Sequence, residues 1–240
     1  AMFLTRLPVR APRGEVAGAV AAFPLVGAVV GALGGVAWLL AALAGLPPLA
    51  CALIALAAMA VVTGALHEDG LADCADGLAG AGPQDSIRIM RDSHIGTFGV
   101  LAVIFSVGLR AAALAAVGEP ETALRALIVA AVLSRAAMPP VMLLLPRASA
   151  TGLAASAGRP TAGAVWFSSG AALILAAVFI DLWIGVAAAS AAALASSLVA
   201  ALALHRLGGY TGDVLGAVQQ ASEVAVLLAV AAVAGAGSSA

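Results

Sequence analysis

The chain contains no lysine, so all 11 of its basic side chains are arginine. Charge of either sign is scarce, at 10% of 240 residues, against about 25% in a soluble domain. So few charges cannot cover a globular surface, which excludes a water-soluble fold. With 63% hydrophobic residues and a mean hydropathy of +1.13, the solvent for most of the chain is lipid. Basic runs and basic–aromatic interleaving are missing too, which excludes nucleic acid as a partner. Cysteine is limited to Cys51, in an apolar run, and Cys74, in an acidic one. That placement excludes a disulfide framework and a zinc pattern. No ordered n-region, h-region and cleavage site opens the chain, so no cleavable signal peptide is expected. The first residue is Ala rather than Met, as expected if the chain starts slightly inside the gene product. The net charge of -1 says nothing about partners.

What is present is long apolar runs. Residues 16–66 carry no Asp, Glu, Lys or Arg and break at "GLPP", giving spans near 20–44 and 48–66. Further spans fall near 97–117, 123–145, 161–180, 182–204 and 222–236. Backbone groups in lipid must be satisfied within each segment, and the runs do not alternate, so these are helices. The expected fold is all-α: a polytopic integral membrane protein of about seven transmembrane helices. Residues 1–240 form a single membrane-embedded domain. Abundant Ala and Gly suit close helix packing. Arginines mark alternate loops: Arg6, Arg10 and Arg13, then Arg88 and Arg91, then Arg147 and Arg159, then Arg206; the loops between have none, although Arg125 lies just past one. This alternation puts the N-terminus in the cytoplasm and the C-terminus outside. The polar loops 67–96 and 205–221 then face the cytoplasm, and so does the chemistry.

The acids are not spread evenly. Of 12, four (Glu68, Asp69, Asp73 and Asp76) fall in "LHEDGLADCADGL". On a helix, Asp69, Asp73 and Asp76 project within an arc of about 60°. Three like charges on one face repel, and a divalent cation relieves them; hard carboxylate oxygens suit Mg²⁺. Gly70 and Gly77 leave room for a phosphate to approach the backbone. The pattern reads as a Mg²⁺–pyrophosphate site at a membrane surface, with Glu68, Asp69, Asp73 and Asp76 as metal candidates. The opposing reading is a solvated acidic loop.

Other candidates flank the cluster. His67 reads as a base, a phosphate donor or an interfacial cap, with an orienting role favoured over the base. Arg88, Arg91 and His94, in "IRIMRDSHIGTFG", either grip phosphates or anchor the cytoplasmic side. Asp92 is a candidate cap for the helix that follows. Arg135 lies inside a span, where an arginine is a functional candidate by default; the alternative is a structural pair with an acid. Pro139 and Pro140 should kink that helix. Arg110 lies in the outer half of its span and is expected to snorkel. In "LGGYTGDVLGAVQQASE", Gly209, Thr211 and Asp213 read either as a phosphate- or metal-side loop or as a capped turn before the last span.

Six segments carry a family resemblance: "FLTRLPV", "AFPLVG", "TGALHEDGLADCADGL", "IMRDSHIGTFGV", "SRAAMP" and "LGGYTGDVLGA". In this order they resemble the cobalamin synthase family, the adenosylcobinamide-GDP ribazoletransferases, over essentially the whole chain. His94 stands where the family more often has Arg. The resemblance implies an integral enzyme of the bacterial inner membrane, active at the cytoplasmic face and dependent on Mg²⁺. It would transfer the adenosylcobinamide phosphate moiety from adenosylcobinamide-GDP to α-ribazole or its 5′-phosphate, releasing GMP. His67, Arg135 and Asp213 become catalytic candidates. Arg88, Arg91, His94, Ser134, Gly209 and Thr211 become substrate-binding candidates. The lipid bilayer is the surrounding partner, and a homo-oligomer is left open.

Two rival classes remain. CDP-alcohol phosphotransferases and UbiA-type prenyltransferases also bind Mg²⁺-diphosphate through membrane aspartates. The CDP-alcohol pattern wants an Arg soon after DG and a longer gap to its later aspartates; "DGLADCADG" lacks both. A cation transporter would spread ionisable residues across the membrane rather than gather them at one face.

Overall fold

The computed structural model describes residues 16–149 and 158–237. The segment "FLTRLPV", with Arg6, Arg10 and Arg13, lies outside the described residues. After a short helical turn at Val16–Ala22, the helices are α1 (Phe23–Leu43), α2 (Pro48–Thr63), α3 (Leu66–Gly77), α4 (Pro83–Met90), α5 (Thr97–Val117), α6 (Pro120–Ala136), α7 (Met138–Leu144), α8 (Ala162–Phe179), α9 (Leu182–Leu207) and α10 (Gly212–Gly237). No strand occurs among the described residues; one isolated bridge pairs Arg147 with Tyr210. The protein is an all-α polytopic membrane protein. Among the described residues six helical segments are long and apolar enough to cross a bilayer, and the number is seven if the α2–α3 pair, bent by 91°, is counted as one broken span.

Local sequence sets the boundaries. Prolines open α2, α4 and α6 in the first turn, where a missing N–H is harmless. Glycines at positive φ close α2, α5 and α9: Gly64 (68°), Gly118 (69°) and Gly208 (75°). Thr161 and Asp181 cap α8 and α9, accepting from Ala164 N and Trp183 N at 3.3 and 2.9 Å. Ala65 follows Gly64 in the left-handed region, at φ 55°. These two consecutive left-handed residues turn α3 out of the line of α2 and send its carboxylates to the polar end of the bundle.

Packing follows small residues. Gly27, Gly31 and Gly35, one turn apart on α1, face α6; a Cβ on Gly31 would stand 2.6 Å from Ile128 Cα. This is a small-residue stripe that lets two backbones touch. Residues 126–136 of α6 are buried throughout, making it the central helix. The outside is apolar: Leu25, Phe105, Ile174 and Val178 are all exposed, as lipid requires. Trp166 near the start of α8 and Trp183 near the start of α9 are exposed at opposite ends of the bundle, the levels at which indoles meet the two membrane interfaces.

Three expectations are corrected. The last helix starts at Gly212 rather than near 222, so the polar loop shrinks to the residues between Leu207 and Gly212. Arg110 does not snorkel; it is 2% exposed, inside the bundle. Asp92 does not cap α5. It accepts from its neighbour His94, whose backbone N lies at 3.1 Å and whose Nδ1 lies at 2.7 Å. At the prolines the helix is interrupted at Ala137, between α6 and α7, while Pro120–Leu144 still runs as one apolar span.

Candidate active site

The polar end gathers α3, α4, the start of α5, the 145–149 segment and the start of α10. Helix α3 crosses α10 at two glycines. A Cβ on Gly70 would meet Asp213 O at 2.9 Å, and one on Gly216 would meet Gly70 Cα at 3.1 Å. These glycines therefore serve helix contact, a use that competes with the expected phosphate approach at Gly70. Gly77 likewise packs against Met90, 2.6 Å from where its Cβ would lie. The crossing brings Asp213 of α10 to the acids of α3.

Asp73 reports the crowding. Burial, followed by Asp69, Asp213 and Asp76, pushes its carboxyl from 3.8 up to about 7. Asp69 is exposed and Asp73 half-buried. Asp213 is half-buried and accepts from Thr211 Oγ1 at 3.3 Å. Asp76 differs: Gly96 N and Gly99 N donate to its two oxygens at 2.7 and 2.8 Å. It caps α5, and a Cβ on Gly96 would lie 2.5 Å from its Oδ1, which explains the glycines of "HIGTFG". Among the described residues no three His, Cys, Asp or Glu side chains are grouped as a ready-made metal cage. Mg²⁺ is commonly held by one or two carboxylates completed by substrate phosphates. Asp69, Asp73 and Asp213 provide that charge and those hard oxygens, so the donor set fits.

The raised carboxyl fixes a pH prediction. Between 3.8 and about 7, folded Asp73 holds a proton that the unfolded chain has released. Stability therefore falls as pH rises through this window. In chelator-treated protein, Tm should decline across it, and Asp73→Asn should flatten the decline. A Tm that climbs over the same range in both proteins would contradict the crowded-acid geometry.

Glu68 does not join these acids. Its Oε1 accepts from Gln220 Nε2 at 3.1 Å and from Arg110 Nη2 at 3.5 Å. It belongs to a second, enclosed constellation. Glu223 of α10, 1% exposed, accepts from Arg110 Nη1 at 2.9 Å and from Gln219 Nε2 at 2.5 Å. Arg135 Nη1 lies 3.6 Å from Glu223 and donates to Ala131 O at 3.1 Å. Ser134, fully buried, donates to Glu223 at 3.4 Å and accepts from Gln219 at 3.0 Å. Two arginines thus face two glutamates inside the bundle. His67 is 3% exposed with Nε2 unpartnered; Glu68 Oε2 and Arg135 Nε are likewise buried without a partner.

The remaining candidates are dispersed. Arg88 is paired with Asp85 at 2.6 Å and its side chain is 74% exposed. His94 is exposed on Asp92, whose carboxyl the histidine holds below the usual range. Arg91 donates to Ser149 at 2.8 Å and lies near enough to act electrostatically on Asp213. A Cβ on Gly209 would collide with Pro146 O, so this glycine serves close backbone contact. Thr211 caps α10, accepting from Val214 N at 3.2 Å. Sequence reading missed Glu223, Gln219 and Gln220. The signal was there: on a helix begun at Gly212, "QQASE" places all three on one buried face.

The family profile described as Cobalamin-5-phosphate synthase matches residues 1–231. A protein of Bradyrhizobium diazoefficiens named adenosylcobinamide-GDP ribazoletransferase is 41% identical over 237 residues, covering 97% of this chain and 91% of its own. A Rhizobium etli protein of the same name is 44% identical over 242 residues, covering 95% and 93%. Another, from Brucella canis, is 42% identical over 241 residues, covering 94% and 92%. No solved structure matches the chain.

Proposed function

Because the chain belongs to the cobalamin-5-phosphate synthase family, we propose that its polar end carries out the reaction for which its relatives are named. The protein is an adenosylcobinamide-GDP ribazoletransferase, acting in the nucleotide-loop assembly step of cobalamin biosynthesis. The acceptor is α-ribazole or its 5′-phosphate. Its hydroxyl oxygen attacks the phosphorus nearer the corrinoid, a new O–P bond forms, the P–O–P bridge breaks and GMP leaves. The hydroxyl proton passes to a base or to water.

The observation that carries the reading is the approach of Asp69 and Asp73 of one helix and Asp213 of another, near enough to act on one another electrostatically. Bound there, Mg²⁺ would neutralise charge on the diphosphate and the departing GMP. The carboxylates would hold that ion at the polar mouth, where it offsets their mutual repulsion. Asp213, fixed by the Thr211 cap and by the Gly70–Gly216 crossing, orients that edge. Arg91, tied to Ser149, offers a cation beside Asp213. Arg135 acts from within, as a fixed positive charge that with Arg110 holds Glu68 and Glu223, and hence the start of α3, in place. His67 orients that same turn. Membranes bearing the chain should release GMP from the GDP-corrinoid only with Mg²⁺ present. Release of CMP from a CDP-lipid instead would move the protein to the rival class.

The site faces the cytoplasm in this reading, on the arginine alternation. Ser86 and Thr211 are buried and would report poorly on sidedness; Ser93 is exposed. In a background without Cys51 and Cys74, Ser93→Cys should resist an impermeant thiol reagent in intact cells and react after lysis. Reaction in intact cells would reverse the topology.

A further inference from the structure

Beside the acidic recess lies a cavity of opposite character. Its volume is about 280 Å³, and its walls are Met142, Leu145, Pro146, Arg147, Arg159 and Tyr210. Every polar side chain on this wall is a hydrogen-bond donor to anions, and no carboxylate lines it. Arg159 is held in place by Leu143 O, which accepts from its Nε at 3.2 Å and its Nη2 at 2.6 Å. A guanidinium has five N–H groups, so this anchoring leaves others to present. Tyr210 is fixed by its backbone: its N donates to Pro146 O at 2.9 Å and its O accepts from Ala148 N at 3.0 Å. Its side chain is 1% exposed, yet its hydroxyl has no hydrogen-bond partner. A buried hydroxyl without a partner is costly, and a bound acceptor oxygen removes the cost.

We propose that Arg147, Arg159 and Tyr210 form a pocket for a terminal phosphate, distinct from the diphosphate recess. Arginine forks suit phosphate because two N–H groups meet two oxygens. Tyr210 is three residues from Asp213, so their Cα atoms lie within about 11 Å of each other. A sugar phosphate seated by its phosphate in this pocket is long enough for its hydroxyls to reach the acids. The cavity is below the usual range for a whole ligand, about 300–1,000 Å³, and suits one end of a molecule. The phosphate can come from a phosphorylated acceptor or from a lipid headgroup. The acceptor assignment rests on the transferase reading above.

The test measures GMP release by the full chain in nanodiscs of phosphatidylcholine, with or without phosphatidylglycerol. The acceptors are α-ribazole and α-ribazole 5′-phosphate, and the quantity read is the ratio of their KM values. Tyr210→Phe keeps the ring and removes only an unpartnered hydroxyl, so it should fold like wild type. Arg147→Gln and Arg159→Gln remove charge, and Arg159→Lys asks whether the fork is needed. The wild-type ratio should favour the phosphorylated acceptor. Arg147→Gln should shrink it by about tenfold or more, and Tyr210→Phe by a smaller factor, as charge-assisted and neutral hydrogen bonds do. If the substitutions instead leave the ratio alone but abolish stimulation by phosphatidylglycerol, the pocket holds a lipid phosphate. A ratio and a lipid response both equal to wild type in folded variants would overturn the pocket. Failure of the wild type to release GMP with either acceptor would overturn the transferase reading as well, a separate result.

Discussion

Replacing Glu223 with alanine should all but eliminate folded protein, the largest stability loss expected from any single substitution here. Glu223 is the anion between Arg110 and Arg135, at 2.9 and 3.6 Å, and all three side chains are at most 3% exposed. Breaking a buried pair by removing one partner costs about 3–5 kcal/mol, because the other charge is left uncompensated. Here two guanidiniums would share Glu68 alone. Replacing whole pairs by apolar groups is often neutral. Glu223→Leu combined with Arg110→Leu keeps the interior neutral, and this double variant should recover much of the yield lost in Glu223→Ala. Detergent-solubilised yield and Tm of the three proteins decide the matter. Equal yields from wild type and Glu223→Ala would mean that the network is not carrying the bundle.

Asp73→Asn should leave the protein folded and nearly inactive. The amide keeps the shape of the side chain and removes the charge a cation needs. A bound cation stabilises transition-state charge by several kcal/mol, so GMP release should fall by about a hundredfold or more. The substitution also removes the burial cost and the repulsion by neighbouring acids that push this carboxyl to about 7, so Tm in chelator should hold or rise at neutral pH. Activity lost together with stability gained separates a role in chemistry from a role in folding. Asp76→Asn should behave differently. Its carboxylate caps α5 through Gly96 and Gly99, so its loss should lower Tm as well.

The spans were legible because apolar length is a local property. The acid face of α3 was legible because its spacing of four and three is helical. What sequence could not show is long-range. Glu68 reads as a metal ligand until Gln220 is seen beside it, 152 residues downstream. Arg110 reads as a snorkelling residue until Glu223, 113 residues away, is found to be its partner. Asp76 reads only as a metal ligand until two backbone N–H groups, 20 and 23 residues downstream, show it to be a helix cap. The stretch from Leu207 to Glu223 reads as a loop because glycine and glutamine suggest water, whereas the helix begins at Gly212. Inside a bundle, the same glycines permit a close crossing and the same glutamines hydrogen-bond to buried ions.

The central claim is that Asp73 and Asp213, brought together across the Gly70–Gly216 crossing, hold a divalent cation with the diphosphate donor. The most direct measurement is Mn²⁺ binding to the full chain in nanodiscs, followed by electron paramagnetic resonance with and without the GDP-corrinoid. The account predicts bound Mn²⁺ in wild type that tightens when the donor is added, and weak binding with no donor effect in both Asp73→Asn and Asp213→Asn. Wild-type Mn²⁺ binding and an unchanged donor effect in both variants would contradict it.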